Sequence, residues 1–216
     1  MAKNNTLLML GVIAGPLWLI ITYTQAFTRE GFDWVRHSAS LLAQGDLGWL
    51  QMTAFILAGA FYIAAAMGLR RSITGTGSKW APITLGIFGV GLLVGGVFRT
   101  DPILGFPPGT PLEIPETMSI SSTIHGFAPI VAFVFAMIFF FIMARRFFRE
   151  GRRALAWISI VVGIGAFVLS NVPNMTAVCE ANVCTFNFIP AWIGATIVFL
   201  WASVLLQHMQ KQTENT

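Results

Sequence analysis

Three side chains carry most of the reactivity in this sequence: His37, Asp101 and His125. Two imidazoles and a carboxylate are a usual ligand set for a catalytic zinc that keeps one position open. Such an ion supplies hydroxide near neutral pH and polarises an ester or phosphoryl oxygen. Arg36 or Arg99 would then grip the phosphate or carboxylate of a headgroup, because a guanidinium pairs with such anions through two parallel bonds. Ser38 and Ser40, beside His37, offer a metal-free version with a hydroxyl nucleophile. Asn171 adds an amide at the same membrane level. Together these residues suggest a hydrolase of the outer leaflet. Their spacing lacks the tight H-x-x-x-H or C-x-x-C pattern of a strong metal motif.

Two other readings fit the same residues. One is binding without chemistry, in which a polar pocket at the outer face takes a lipid or another small amphiphile. A haem between His37 and His125 is a narrower version, which two histidines alone do not carry. The other is a polar lock, in which Asp101 pairs with Arg36 or Arg99 and the histidines cap helix ends. Paired charges are common for purely structural reasons.

The elements that position these residues follow from composition. The chain is 56% hydrophobic and 10% charged, against about 25% charged in an average soluble domain. Its mean hydropathy is +0.74. These values define an all-α polytopic membrane protein, one domain over residues 1–216. The net charge of +4 is no nucleic-acid signal, since the basic residues form short clusters between apolar runs. Six runs are long enough to cross a bilayer as helices, near 7–27, 48–69, 80–98, 122–144, 154–172 and 188–207. The first has too long an apolar core for a signal peptide and reads as a retained anchor.

Lysine and arginine collect in cytoplasmic loops. With the N-terminus inside, Lys3, Arg70, Arg71, Lys79, Arg145, Arg146, Arg149, Arg152, Arg153 and Lys211 are cytoplasmic, and only Arg29, Arg36 and Arg99 lie outside. Both termini then face the cytoplasm across the plasma (inner) membrane. The cluster from Arg145 to Arg153 suits contact with anionic membrane lipids. Nearly all strongly polar groups beside the spans fall at the outer ends: Gln25, Gln51, Arg99, Asp101, His125, Asn171 and Asn187. Proton-coupled carriers need such groups near the midplane, which argues against alternating-access transport.

Local patterns add detail. In the first outer loop, Phe32, Val35, Ala39 and Leu42 recur at helical spacing with Asp33, Arg36, His37, Ser40 and Gln44 opposite. That pattern predicts a short interfacial helix with a solvated polar face. The second outer loop, Phe98 to Pro111, holds four prolines and two glycines, too irregular for a helix or a paired strand. Gly11-x-x-x-Gly15 and Gly91-x-x-x-Gly95 predict close helix contacts, and the glycine-rich third helix is expected at the bundle centre. Ser121, Ser122 and Thr123 offer caps for the fourth helix. Cys179 and Cys184 share an outer loop, where a disulfide is chemically allowed.

Arg36-His-Ser-Ala-Ser40, Gly48-Trp-Leu-Gln51, Phe98-Arg-Thr-Asp-Pro102, Pro108-Gly109 and Ser122-Thr-Ile-His-Gly126 occur in that order. Through these motifs the chain, over about residues 7–207, resembles the six-pass prokaryotic membrane family catalogued as domain of unknown function 998. The resemblance implies a six-helix bundle and points to Arg36, His37, Asp101 and His125. It implies no particular reaction.

Overall fold

In hydrocarbon every backbone N–H and C=O must find its partner within the chain, so apolar runs of this length become helices. The computed structural model describes residues 2–180 and 183–214, and six helices carry most of them. They are α1 (Ala2–Thr28), α2 (Gly48–Ser72), α3 (Trp80–Val97), α4 (Ile120–Arg149), α5 (Arg153–Met175) and α6 (Ile189–Glu214). All six are long and apolar enough to span a membrane. The observed α4 runs past its apolar stretch to include Arg145, Arg146 and Arg149.

Each helix packs on its neighbours in the chain, and α6 returns to lie against α1, so the six form a closed ring. The α3 helix is the most buried of the six, yet it stands in the wall between α2 and α4. No helix occupies a centre, which corrects the expectation for α3. Buried side chains from all six helices form the core. Trp18 stacks on Phe199 with centroids 4.3 Å apart, and Tyr62 lies 4.8 Å from Phe88.

The glycines set the closest approaches. A Cβ on Gly59 would fall 2.6 Å from the carbonyl oxygen of Gly89, and one on Gly89 would fall 2.7 Å from that of Gly59. There α2 and α3 touch backbone to backbone, as small residues allow in membrane helices. Gly15 meets the α6 backbone at Phe199, and Gly91 meets Ala128 and Ala132 of α4. Both glycine motifs therefore lie on the faces their spacing predicts.

Two short strands, β1 (Val178–Glu180) and β2 (Val183–Thr185), qualify the all-α expectation. They pair antiparallel with Cys179 opposite Cys184, and a disulfide joins the two. The cross-link holds Val, Cys and Thr side by side, residues that suit a pleated ladder.

Candidate functional site

The connections 29–47 and 98–119 and the described residues 176–180 and 183–188 all lie at one end of the ring and are fastened to one another. Arg29, just past α1, is the centre of this cap. Its guanidinium donates to the carbonyls of Leu42 and Gln44, each at 2.5 Å. It also lies over the Phe106 ring, 4.9 Å from the centroid, a favourable cation–π position. Gln44 in turn donates from Nε2 to the carbonyl of Thr100. Burial pushes the Arg29 pKa down, and Asp46 acts in the opposite direction. Gly45 has φ +71°, and a Cβ there would meet Arg29 Nη2 at 2.8 Å, so glycine is needed both for the backbone and for the space.

His37 and its neighbour Val35 together join the three connections. His37 is only 2% exposed. Its Nδ1 accepts from the backbone N–H of Asp33 at 3.0 Å. Nε2 is therefore the protonated nitrogen, and it donates to the carbonyl of Leu104 at 3.0 Å. The carbonyl of His37 accepts from Trp192 Nε1 at 3.1 Å, and Phe188 N–H donates to the carbonyl of Val35 at 2.7 Å. Phe32 and Phe106 pack against the ring at about 5 Å. Burial is the main influence lowering the His37 pKa, and Arg36 acts the same way. The Leu104 bond and Asp33 act upward.

The interfacial helix forms only in part. Residues 34–36 make a turn and Ala39–Ala43 a short 3-10 helix, with Leu41, Leu42 and Ala43 buried. The Asp33 carboxylate accepts from Val35 N–H at 2.8 Å. The Asp33 backbone carbonyl accepts from His37 N–H at 2.7 Å, so Asp33 caps a single helical turn that ends where Ser38 is extended. This turn leaves Val35 outward, 49% exposed, and lets His37 go in. The predicted faces are mixed: His37 and Gln44 of the polar side are buried together with Leu42 of the apolar side, while Asp33 and Arg36 stay exposed with Val35.

His125, 5% exposed on α4, donates from Nδ1 to the carbonyl of Phe98 at 2.7 Å. Asp101 receives two bonds from Ser119, from N–H to Oδ2 at 2.7 Å and from Oγ to Oδ1 at 2.6 Å. Ser119 is the N-cap of α4 and accepts from Ser122 N–H, so the cap lies two residues before the expected serines. Asp101 carries negative charge to the first turn, where the helix dipole favours it. Among the described residues it makes no ion pair with an arginine. Among the described residues the ion pairs lie at the opposite end, where Glu150 meets Arg146 at 2.7 Å and Arg152 at 3.7 Å.

The remaining candidates disperse. Arg36 and Arg99 are exposed. Ser38 and Ser40 bond each other at 2.9 Å rather than His37. Asn171 donates to the carbonyl of Phe167, one turn back in α5. Among the described residues, no three of His, Cys, Asp and Glu stand close enough to share a metal ion. The residues present therefore do not fit the zinc site expected from His37, Asp101 and His125. Both ring nitrogens of His37 are already engaged, and the Asp101 carboxylate caps a helix. The same engagement leaves no axial pair for a haem.

Sequence reasoning missed Arg29, Gln44, Phe106, Ser119 and Trp192. One signal was available for Arg29: it follows directly on a span, on the side where basic residues are scarce. Below the cap, Gln25 Nε2 donates to Gln51 Oε1 at 2.9 Å, and Gln51 Nε2 to Thr22 Oγ1 at 3.1 Å. All three are buried, and they tie α1 to α2.

Six apolar spans closed into a ring under a fastened cap define an integral, multi-pass membrane protein. Within that class the chain belongs to the family described as Protein of unknown function (DUF998), which it matches over residues 12–208. No curated protein and no solved structure matches it.

Proposed function

We propose that the capped end faces outward from the plasma membrane, that both termini are cytoplasmic, and that the cap is a polar lock closing a lipid-binding bundle. The orientation rests on the basic residues, of which only Arg29, Arg36 and Arg99 fall on the capped side. The observation that carries the lock is the Arg29 clamp, a guanidinium bonded to two carbonyls and laid on an aromatic ring. The groups that looked reactive serve the same end. His37 and His125 donate to carbonyls of residues 104 and 98, and Asp101 caps α4. A bundle closed in this way meets its lipid or small amphiphile from the bilayer, through its outer wall, rather than in an open polar pocket. The hydrolase reading gains no support from the geometry, which pairs neither serine with an imidazole.

The test compares wild type with Arg29→Gln by thermal unfolding and by limited proteolysis from the capped side, alongside metal analysis. The variant should melt at lower temperature and become cleavable in the 29–47 and 98–119 connections. Stoichiometric zinc in wild type that is lost in His125→Ala, together with an Arg29→Gln as stable as wild type, would overturn the reading.

A further inference from the structure

The uncapped end carries two grooves, one on each side of α4, and Arg145 lines both. The larger, about 530 Å³, runs between α4 and α5 and is lined by Phe141, Ala144, Arg145, Phe148, Arg149 and Ile160. The five α4 residues are spaced three and four apart, so they form one stripe along the helix. Its wall is apolar toward the middle of the span and ends in two arginines. The volume is in the usual range for a small-molecule site, roughly 300–1,000 Å³.

These arginines differ from the others in the same turn. Arg146 faces the α2–α3 connection, donating to the carbonyls of Thr74 and Thr76, and is paired with Glu150. Arg152 bonds His208 at 3.0 Å and lies 3.7 Å from Glu150. Arg145 is exposed and has neither a carboxylate nor a hydrogen-bond partner among the described residues. Arg149 makes one bond, to Thr76 Oγ1 at 3.0 Å, and a guanidinium has five N–H donors. Glu150, the acid of this turn, is taken up by its two ion pairs. The groove therefore joins an apolar trough to two cations without a counter-charge, at the depth where a span leaves the bilayer.

We propose that this groove holds one anionic phospholipid, its phosphate on Arg145 and Arg149 and an acyl chain along Phe141 and Ile160. Guanidinium forks match phosphate oxygens, and an anionic headgroup supplies the missing charge. A zwitterionic headgroup brings its own cation and leaves the two arginines uncompensated. The proposal rests on the bilayer-side reading of lipid binding, and on its orientation for the leaflet concerned. It does not depend on the lock.

The test uses the full chain in vesicles of phosphatidylcholine with a minority of phosphatidylglycerol, followed by gentle extraction and native mass spectrometry of the lipid retained. Wild type should keep one phosphatidylglycerol per chain, enriched about tenfold over the bulk. Arg145→Gln, an exposed side chain without partners, should fold normally and lose that enrichment. Ile160→Trp should lose it by filling the trough. Arg71→Gln removes the same charge at the same end, away from the groove, and should retain it. Equal retention of the two lipids by wild type would overturn the proposal. So would an Arg71→Gln effect as large as that of Arg145→Gln, which would mean diffuse attraction, or a dimer mass in place of bound lipid. Arg29→Gln should leave the enrichment intact, so failure of the lock and failure of the lipid site read out separately.

Discussion

The two ends of the ring use the same device to different effect. At the capped end Arg29 donates to two carbonyls two residues apart, Leu42 and Gln44. At the basic end Arg146 donates to two carbonyls two residues apart, Thr74 and Thr76. Each arginine fixes a connection between helices. Arg29 does so over an aromatic ring, among three interlocked loops and without a hydrogen-bonded carboxylate. Arg146 does so beside Glu150, on a single short turn. What surrounds the clamp decides what it achieves. Where long loops converge, Arg29, His37, Gln44 and His125 are taken up in bonds to backbone carbonyls. Where one short turn suffices, neighbouring cations remain available to a ligand.

Four experiments break or sharpen this contrast. The largest effect is expected at Arg29. Hydrogen bonds to charged groups contribute about 1.5–3 kcal/mol each, so Arg29→Gln should cost about 3 kcal/mol in reversible unfolding. Arg29→Lys should recover little, because an ammonium cannot reproduce a fork stacked on a ring. An unchanged melting temperature in Arg29→Gln would make the two clamps equivalent.

His37→Ala comes next. It strands the carbonyl of Leu104 and the N–H of Asp33, with a cost of about 2 kcal/mol. The residue also predicts a pH dependence. Its pKa is depressed in the folded state from 6.5 by burial, so the unfolded chain binds the proton more readily. The stability that neutral His37 contributes is complete above about pH 6.5 and is lost as pH falls through the lower folded value. Stability measured against pH should thus decline on the acid side in wild type and flatten in His37→Ala. Parallel curves would show that another group is responsible.

Arg146→Gln should be milder, about 1 kcal/mol, since its partner Glu150 is 25% exposed and partly exposed pairs are weak. The smallest effect belongs to the middle of the ring. Among the described residues the buried Tyr62 hydroxyl makes no hydrogen bond of ordinary geometry. It faces Ser203, whose own Oγ donates to the carbonyl of Phe199. Tyr62→Phe should therefore change the melting temperature little, or raise it slightly. A clear loss would show that the two hydroxyls do bond, and that the interior shares the polar fastening of the cap.

The parts of the fold that are legible in the sequence are those with a periodic or compositional signature. Long apolar runs mark the spans, glycines four apart mark helix contacts, and two cysteines in one loop mark the disulfide. The cap has no such signature. Arg29 is a single residue, and its partners are backbone carbonyls that any sequence possesses. His37, Asp101 and His125 are all at or beside the capped end, where their placement in the sequence puts them. Identity alone does not say what they bond: the two histidines donate to neighbouring carbonyls and Asp101 accepts from Ser119. The first loop misled for a more local reason. Its apolar spacing is helical, but Ser38 is extended and splits the segment into one turn capped by Asp33 and the 3-10 helix Ala39–Ala43.

The ring has a mechanical consequence. In a row of helices, one failed contact cuts the structure in two. In a circle, one failed contact turns it into an open arc in which every helix still has a companion. Loosening the α1–α6 junction at Gly15, or the α3–α4 junction at Gly91, therefore releases no helix, and separation into fragments requires two breaches.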